Sequence, residues 1–133
     1  TRGLPGVMQQ NTEYQDIVQD LAIYFSERLE QLYKLGGKDI ILDPGFGFAK
    51  TLQQNYELMN RLDELISLFK EPMLVGISRK SMIYKLLNTD PQHALNGTTF
   101  LDTIALEKGA HILRVHDVAE TVEIVKMHQA LHA

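Results

Sequence analysis

Ile40-Ile41-Leu42-Asp43-Pro44-Gly45-Phe46-Gly47-Phe48 decides how this chain is read. A short apolar run delivers an aspartate, and a proline with two glycines then turns the backbone in a tight loop. The run is short, β-branched and bounded by turn signals, which predicts a buried strand over residues 39–43. A carboxylate at the carboxyl end of a buried strand usually faces a site in an α/β protein. The plainer account is a strand-ending Asp that caps the next turn.

Outward from this stretch, helices and strands alternate. Thr51 and Gln54 have capping-box spacing. The helix they open carries Leu52, Tyr56, Met59, Leu62, Ile66 and Phe69 on one face until Pro72 blocks it. Upstream, residues 1–11 read as loop. Thr12 and Gln15 repeat the capping spacing, and Tyr14, Ile17, Val18, Leu21, Phe25, Leu29 and Leu32 recur at helical intervals until Gly36-Gly37. Downstream, residues 73–77 form a second apolar strand, in which Gly76 predicts a close backbone approach. Ser78-Arg79-Lys80 leads into a helix to about Leu87, and a turn occupies 88–91. A further helix spans about 98–108, ended by Gly109. Residues 110–115 form a third strand. Asp117 and Glu120 have capping spacing again, before a last helix with Val118, Val122, Val125 and Gln129 on one stripe.

The order is a helix followed by three strand–helix units, with strand centres near Ile41, Leu74 and Leu113. Their spacing is about that of one β-α repeat of 30 or more residues. Such alternation predicts a parallel sheet with helices outside. A (β/α)8 barrel needs about 250 residues, and half of one gives this order. An open doubly wound sheet would need more strands and helices on both faces. No G-x-G-x-x-G loop follows a strand, so a dinucleotide site is not expected.

Composition narrows the class. With 133 residues the chain is read as one domain, 1–133, able to bury roughly two-thirds of its unfolded surface if it folds alone. A net charge of −4 gives no nucleic-acid footprint. The absence of cysteine excludes disulfides and thiolate metal sites. No apolar stretch reaches membrane-spanning length, and no signal peptide is visible, so a cytoplasmic protein is expected. The chain starts at Thr1 in a Gly/Pro-rich loop, which reads as the middle of something longer.

All three strand ends leave polar groups. The first ends in Asp43, with Phe48 in its loop. The second ends in Ser78-Arg79-Lys80, and the third in Arg114-Val115-His116-Asp117. Residues two apart on extended backbone share a side, so Arg114 and His116 can converge, as can Ser78 and Lys80 if the chain stays extended. One rim would then hold a carboxylate, up to three fixed cations, a histidine and an aromatic. That set suits a ligand with an anionic part and a planar ring. Each piece has a duller account: a solvated helix start at 78–80, an ion pair of Arg114 with Asp117 or Glu120, an ordinary helix start at His116. The coincidence at one end favours a ligand site. His93, His111, His128 and His132 are assigned nothing, and no pair of His or carboxylates is read as zinc ligands. Ser78 is not in a G-x-S-x-G elbow.

ILDPGFGFAKT, LVGISRKSMI, NGTT and GAHILRVHDVAET, taken together and in this order, closely resemble dihydropteroate synthases. The leading TRGLPGVMQ resembles the loop after that family's fifth barrel strand. The resemblance implies the C-terminal half of a (β/α)8 TIM barrel, with three parallel strands (six to eight) and outer helices five through eight. It implies joining of 6-hydroxymethyl-7,8-dihydropterin diphosphate to 4-aminobenzoate, a step of folate biosynthesis that sulfonamides inhibit. By resemblance, Asp43, Lys80 and Arg114 hold the pterin, with Gly76 and Phe48 nearby. Arg114 and His116 hold diphosphate, and Phe48, Ser78 and Arg79 line the aminobenzoate side. Lys80 and Arg114 are the implied catalytic residues. Magnesium is implied for the full-length enzyme, with its ligand outside this chain and none expected here. A homodimer through outer helices of this half is implied too. The chain alone, with half a pocket, is expected to be inactive.

The nearest rival is a methyltetrahydrofolate:corrinoid methyltransferase-type barrel, which has no diphosphate to bind and no need of the Ser-Arg-Lys and Arg-Val-His-Asp motifs. The other is a non-catalytic half barrel acting as a folding or interaction unit.

Overall fold

The computed structural model describes residues 16–48 and 50–133. The capping pair expected at Thr12 and Gln15 lies outside them. Helix α1 spans Ile17–Lys34, with Asp16 as its N-cap accepting from the Val18 and Gln19 amides. Two short helices follow, α2 over Leu52–Asn60 and α3 over Leu62–Ser67. Then come strand β1 (Leu74–Val75), helix α4 (Ser81–Tyr84) and a 3-10 turn at Pro91–His93. Helix α5 (Leu95–Glu107), strand β2 (Ile112–Leu113) and helix α6 (Val118–Leu131) complete the order.

The alternation is the expected one, and the strands are parallel. β1 pairs with β2 in the register Leu74↔Ile112 and Val75↔Leu113. The third expected strand, over residues 39–43, reduces to one parallel bridge, Leu42↔Met73. Two prolines explain the truncation. Leu42 N–H donates to Pro72 O and Leu74 N–H donates to Leu42 O. The next rungs would need N–H groups from Pro72 on one side and Pro44 on the other, and proline has none.

The helix expected from Thr51 to Phe69 is also divided. Thr51 and Gln54 do form the reciprocal capping box. The backbone leaves helical geometry at Arg61 (φ −109°, ψ 17°), whose guanidinium reaches Asp16, Glu57 and Glu64 at 3.0–3.2 Å. The helix after Lys80 is one turn, and α5 starts three residues earlier than its sequence signal. Asp117 makes no side-chain cap on α6, because its carboxylate is engaged elsewhere.

One apolar core underlies the sheet. α1 contributes Ile17, Val18, Leu21, Phe25 and Leu29, and the strands contribute Leu42, Met73, Val75 and Ile77. Phe25 meets Phe69 edge-on, with centroids 5.8 Å apart. Gly37 and Gly97 sit where a side chain would collide with Leu32 O and the Ile83 side chain. Among the described residues no helix is long and apolar enough to cross a membrane.

Asp102 is the discordant core residue. It is fully buried on α5, and neither carboxylate oxygen has a hydrogen-bond partner among the described residues. Burial pushes its carboxyl up to about 7. A raised carboxyl contributes stability that is complete below its unfolded value and lost as pH rises through its folded value. Asp102→Asn keeps the shape and removes the proton. The variant is expected to match the parent near pH 4 and exceed it near pH 8, by on the order of a few kcal/mol at most. Thermal melts across that range check it, and an equal gap at both ends would contradict it.

Candidate active site

The parallel register brings three loops to one edge of the sheet. The first is held by its own backbone. Gly45 and Gly47 take left-handed φ of 71° and 84°, a conformation open to glycine at no steric cost. Gly45 N–H donates to Asp43 Oδ1 at 2.8 Å, and Phe48 N–H to Gly45 O at 3.1 Å. Gly47 N–H donates to Asn55 Oδ1 at 2.6 Å, from the first turn of α2.

Two lysines stitch this loop from inside. Lys50 Nζ donates to Gly45 O at 2.7 Å and Phe48 O at 3.2 Å. Burial lowers its ammonium to about 8, nearby Lys80 adds to that, and Asp43 opposes it. Lys80 Nζ crosses from the second strand end to donate to Phe46 O at 2.6 Å. Its value is also lowered, first by burial and then by Arg114, against the pull of Asp43.

The second loop does not stay extended. Arg79 has φ 56° and Lys80 N–H donates to Ile77 O, so residues 77–80 turn. A left-handed arginine costs roughly 1–3 kcal/mol. Arg79 N–H is received by Thr98 Oγ1 at 3.1 Å. Its guanidinium forks onto Asp117, Nε to Oδ2 at 3.1 Å and Nη2 to Oδ1 at 2.7 Å. This contact holds the Asp117 carboxyl below its usual range. Asp117 therefore pairs with Arg79, where the sequence offered Arg114. The turn swings Ser78 to one side: its Oγ lies 2.7 Å from His116 Nδ1 and accepts from His116 N–H at 3.2 Å.

Arg114 stays outside that fork. Its guanidinium lies over Gly76, where an added Cβ would stand 2.7 Å from Nη2. Nη1 is 3.9 Å from Asp43 Oδ2, and the side chain is 63% exposed. The close approach expected at Gly76 is thus to a guanidinium.

Two adjoining concavities result. One, of about 450 Å³, is lined by Asp43, Phe46, Phe48, Lys80, Ser81 and Arg114, with Arg79 and Tyr84 at its wall. The other, of about 280 Å³, is lined by Gly76, Ser78, Lys80, Arg114, Val115 and His116. Lys80 and Arg114 belong to both. Asp43, Phe48, Gly76, Ser78, Lys80, Arg114 and His116 are therefore gathered at one rim. Ser78 and Phe48 do not share a pocket, and Ser81 lies beside Phe48 instead. Lys50, Asn55 and Ser81 were missed. A lysine following a glycine-rich turn was the available signal for Lys50.

Asp43 is the rim's single carboxylate among the described residues, and it already faces Gly45 N–H and Arg114. That set does not amount to an oxygen cage for magnesium. Elsewhere, Glu107, His128 and His132 lie close together, with one possible ligand atom from each within 4.8 Å of the others.

The rim sets Asp43, Lys80, Arg114 and His116 beside Phe46 and Phe48 at one end of a parallel sheet. The chain belongs to the pterin-binding enzymes: the family described as "Pterin binding enzyme" matches residues 1–116. The dihydropteroate synthase of Escherichia coli (strain K12) is 44% identical over 131 residues, covering 97% of this chain and 46% of the relative. The Yersinia pestis dihydropteroate synthase, solved in a sulfonamide drug complex, superposes with a TM-score of 0.90 at 42% identity, over 99% of this chain and 48% of that one. The Thermus thermophilus dihydropteroate synthase in complex with 4-aminobenzoate gives 0.90 at 35% identity, over 98% and 53%. The chain spans about half the length of these proteins.

Gly76→Ala tests the guanidinium seat. The obstructed atom is the far end of a flexible, exposed side chain, so stability should move by less than about 1 kcal/mol. Affinity for inorganic diphosphate, used as a probe anion, should fall about tenfold or more, the worth of one charge-assisted contact. Urea unfolding and a diphosphate titration check both. Unchanged affinity would contradict the seat.

Proposed function

We propose that this chain supplies the cationic strand-end rim of a dihydropteroate synthase, as the C-terminal half of a (β/α)8 barrel. Residues 39–43, 73–77 and 110–115 would be strands six to eight. The supporting observation is the convergence of Asp43, Lys80 and Arg114 across Gly76.

The reaction joins 6-hydroxymethyl-7,8-dihydropterin diphosphate to 4-aminobenzoate. The methylene C–O bond to diphosphate breaks, the aniline nitrogen bonds to that carbon, and diphosphate and one proton leave. Asp43 accepts N–H bonds from the pterin edge through carboxylate oxygens fixed beside Gly45. Arg114, exposed and seated over Gly76, stacks its plane on the flat ring and meets the diphosphate. Lys80 contacts the pterin between the two concavities. His116, oriented by the Ser78 hydroxyl, holds diphosphate with Arg114. These groups stabilise the departing charge, so C–O cleavage can run ahead of amine attack. A neutral aniline nitrogen is nucleophilic without a strong general base.

Phe48 and Ser81 bound the aminobenzoate side. Arg79 acts there as a brace, through its pair with Asp117, and Ser78 acts through His116. Magnesium, where the whole protein uses it, draws its ligands from outside these residues, and no step here depends on it. Turnover is proposed for a protein in which the barrel is complete. A second copy is proposed to dock on the outer face of α5 and α6, where Phe100, Val118, Val122 and Met127 stand exposed.

Calorimetry with a non-hydrolysable pterin diphosphate analogue tests the reading, with Lys80→Ala beside the parent. Binding should weaken by about tenfold or more in the variant, the value of a hydrogen bond to a charged group. Equal binding in both would remove Lys80 from the site.

A further inference from the structure

We propose a second site at the opposite end of the sheet: a surface cation site in which Glu107, His128 and His132 bind a zinc-like divalent ion and clamp α5 to α6. Glu107 is the last residue of α5, just ahead of β2, so it lies at the amino side of the strands. The rim of Asp43, Lys80 and Arg114 lies at their carboxyl side. His128 is in the last turn of α6 and His132 is its C-cap. The two sites share no residue.

Three observations carry the assignment. First, the donors are already gathered. The Nε2 atoms of His128 and His132 lie 3.3 Å and 3.0 Å from the same Glu107 Oε1. One donor atom from each residue lies within 4.8 Å of the others. With bonds of about 2.0–2.1 Å, the edges of a tetrahedron around zinc are about 3.3 Å long. Two edges are close to that length, and the third is at most 4.8 Å. Second, the histidines are four residues apart on one helix face, with ring centroids 4.4 Å apart. A single helix therefore presents both imidazoles together. Third, two helices end here, and the carbonyl ends of helices favour positive charge.

The donor chemistry selects the ion. Two neutral imidazoles and one carboxylate suit zinc and its neighbours in the first transition row rather than magnesium or calcium. Three protein ligands leave a fourth position for water. The exposed setting of Glu107 and His132 gives no substrate cavity, so the role is to pin the end of α6 to α5. Glu107 Oε1 accepts a hydrogen bond from His132 Nε2, with His128 Nε2 at 3.3 Å, and the His132 bond lowers its carboxyl most.

The test uses the chelator-treated chain, titrated with zinc chloride by calorimetry and with cobalt chloride by visible absorption. The parent should bind one zinc, gain thermal stability as free zinc exceeds its dissociation constant, and give the intense bands of four-coordinate cobalt. Glu107→Gln, close to isosteric, should weaken zinc binding by at least about tenfold, the lower end of what even a partner outside the ligand set costs. The double variant His128→Ala/His132→Ala should abolish binding and the stability gain. Circular dichroism confirms that each variant is folded. His93→Ala, which removes an exposed histidine paired with Asp90, should change nothing. Absence of one-to-one binding in the parent would overturn the site. Binding that survives in Glu107→Gln and in the double variant would overturn it as well.

Discussion

The parallel register of Leu42, Met73–Val75 and Ile112–Leu113 is the constraint on which everything else rests. Parallel pairing sets neighbouring strand ends level, so three loops far apart in sequence open side by side. The register is held by few rungs. Among the described residues, Leu42 N–H donates to Pro72 O and its carbonyl accepts from Leu74 N–H, and Arg114 N–H takes Val75 O at 3.0 Å. That last bond fixes where the Arg114 side chain departs, directly across from Gly76. Buried Leu42, Met73, Val75 and Ile77 lock the register, because a one-residue slip would turn them outward.

Electrostatics sets this edge apart. Among the described residues, Lys50, Lys80 and Arg114 stand around one carboxylate, Asp43, and burial and a neighbouring cation lower each lysine. The charge that remains unbalanced is positive, partly desolvated and walled by Phe46 and Phe48. Such a rim strengthens any anion placed in it. Arg79 could have added a further cation, but its fork onto Asp117 neutralises it and braces the second loop against the third. One arginine is thus structural and the other available, a division that follows from one left-handed residue at position 79.

Much of this was legible in the sequence. The helix–strand alternation, the glycine breaks, the Thr51 capping box and the collection of Asp43, Lys80, Arg114 and His116 at one end follow from local signals. The failures have physical causes. Pro44 and Pro72 flank Leu42 and cut the first strand to a bridge; both prolines were visible, but their effect depends on which neighbour's rung they remove. The second helix divides at Arg61, whose guanidinium meets Glu57, Glu64 and the distant Asp16, and no local breaker residue marks the position. The pairing of Asp117 with Arg79, and the turn that places Ser78 beside His116 and leaves Ser81 lining the concavity with Phe48, are tertiary events. Spacing within one segment carries no record of them.

The central claim is that three separate strand ends form one anion site. Amide and side-chain chemical shifts recorded while the protein is titrated with inorganic diphosphate test it most directly. The account predicts that Gly76, Lys80, Arg114 and His116 shift together along one saturation curve, while His111, at the amino side of β2, stays still. Shifts confined to one loop, or separate curves for Lys80 and Arg114, would contradict it.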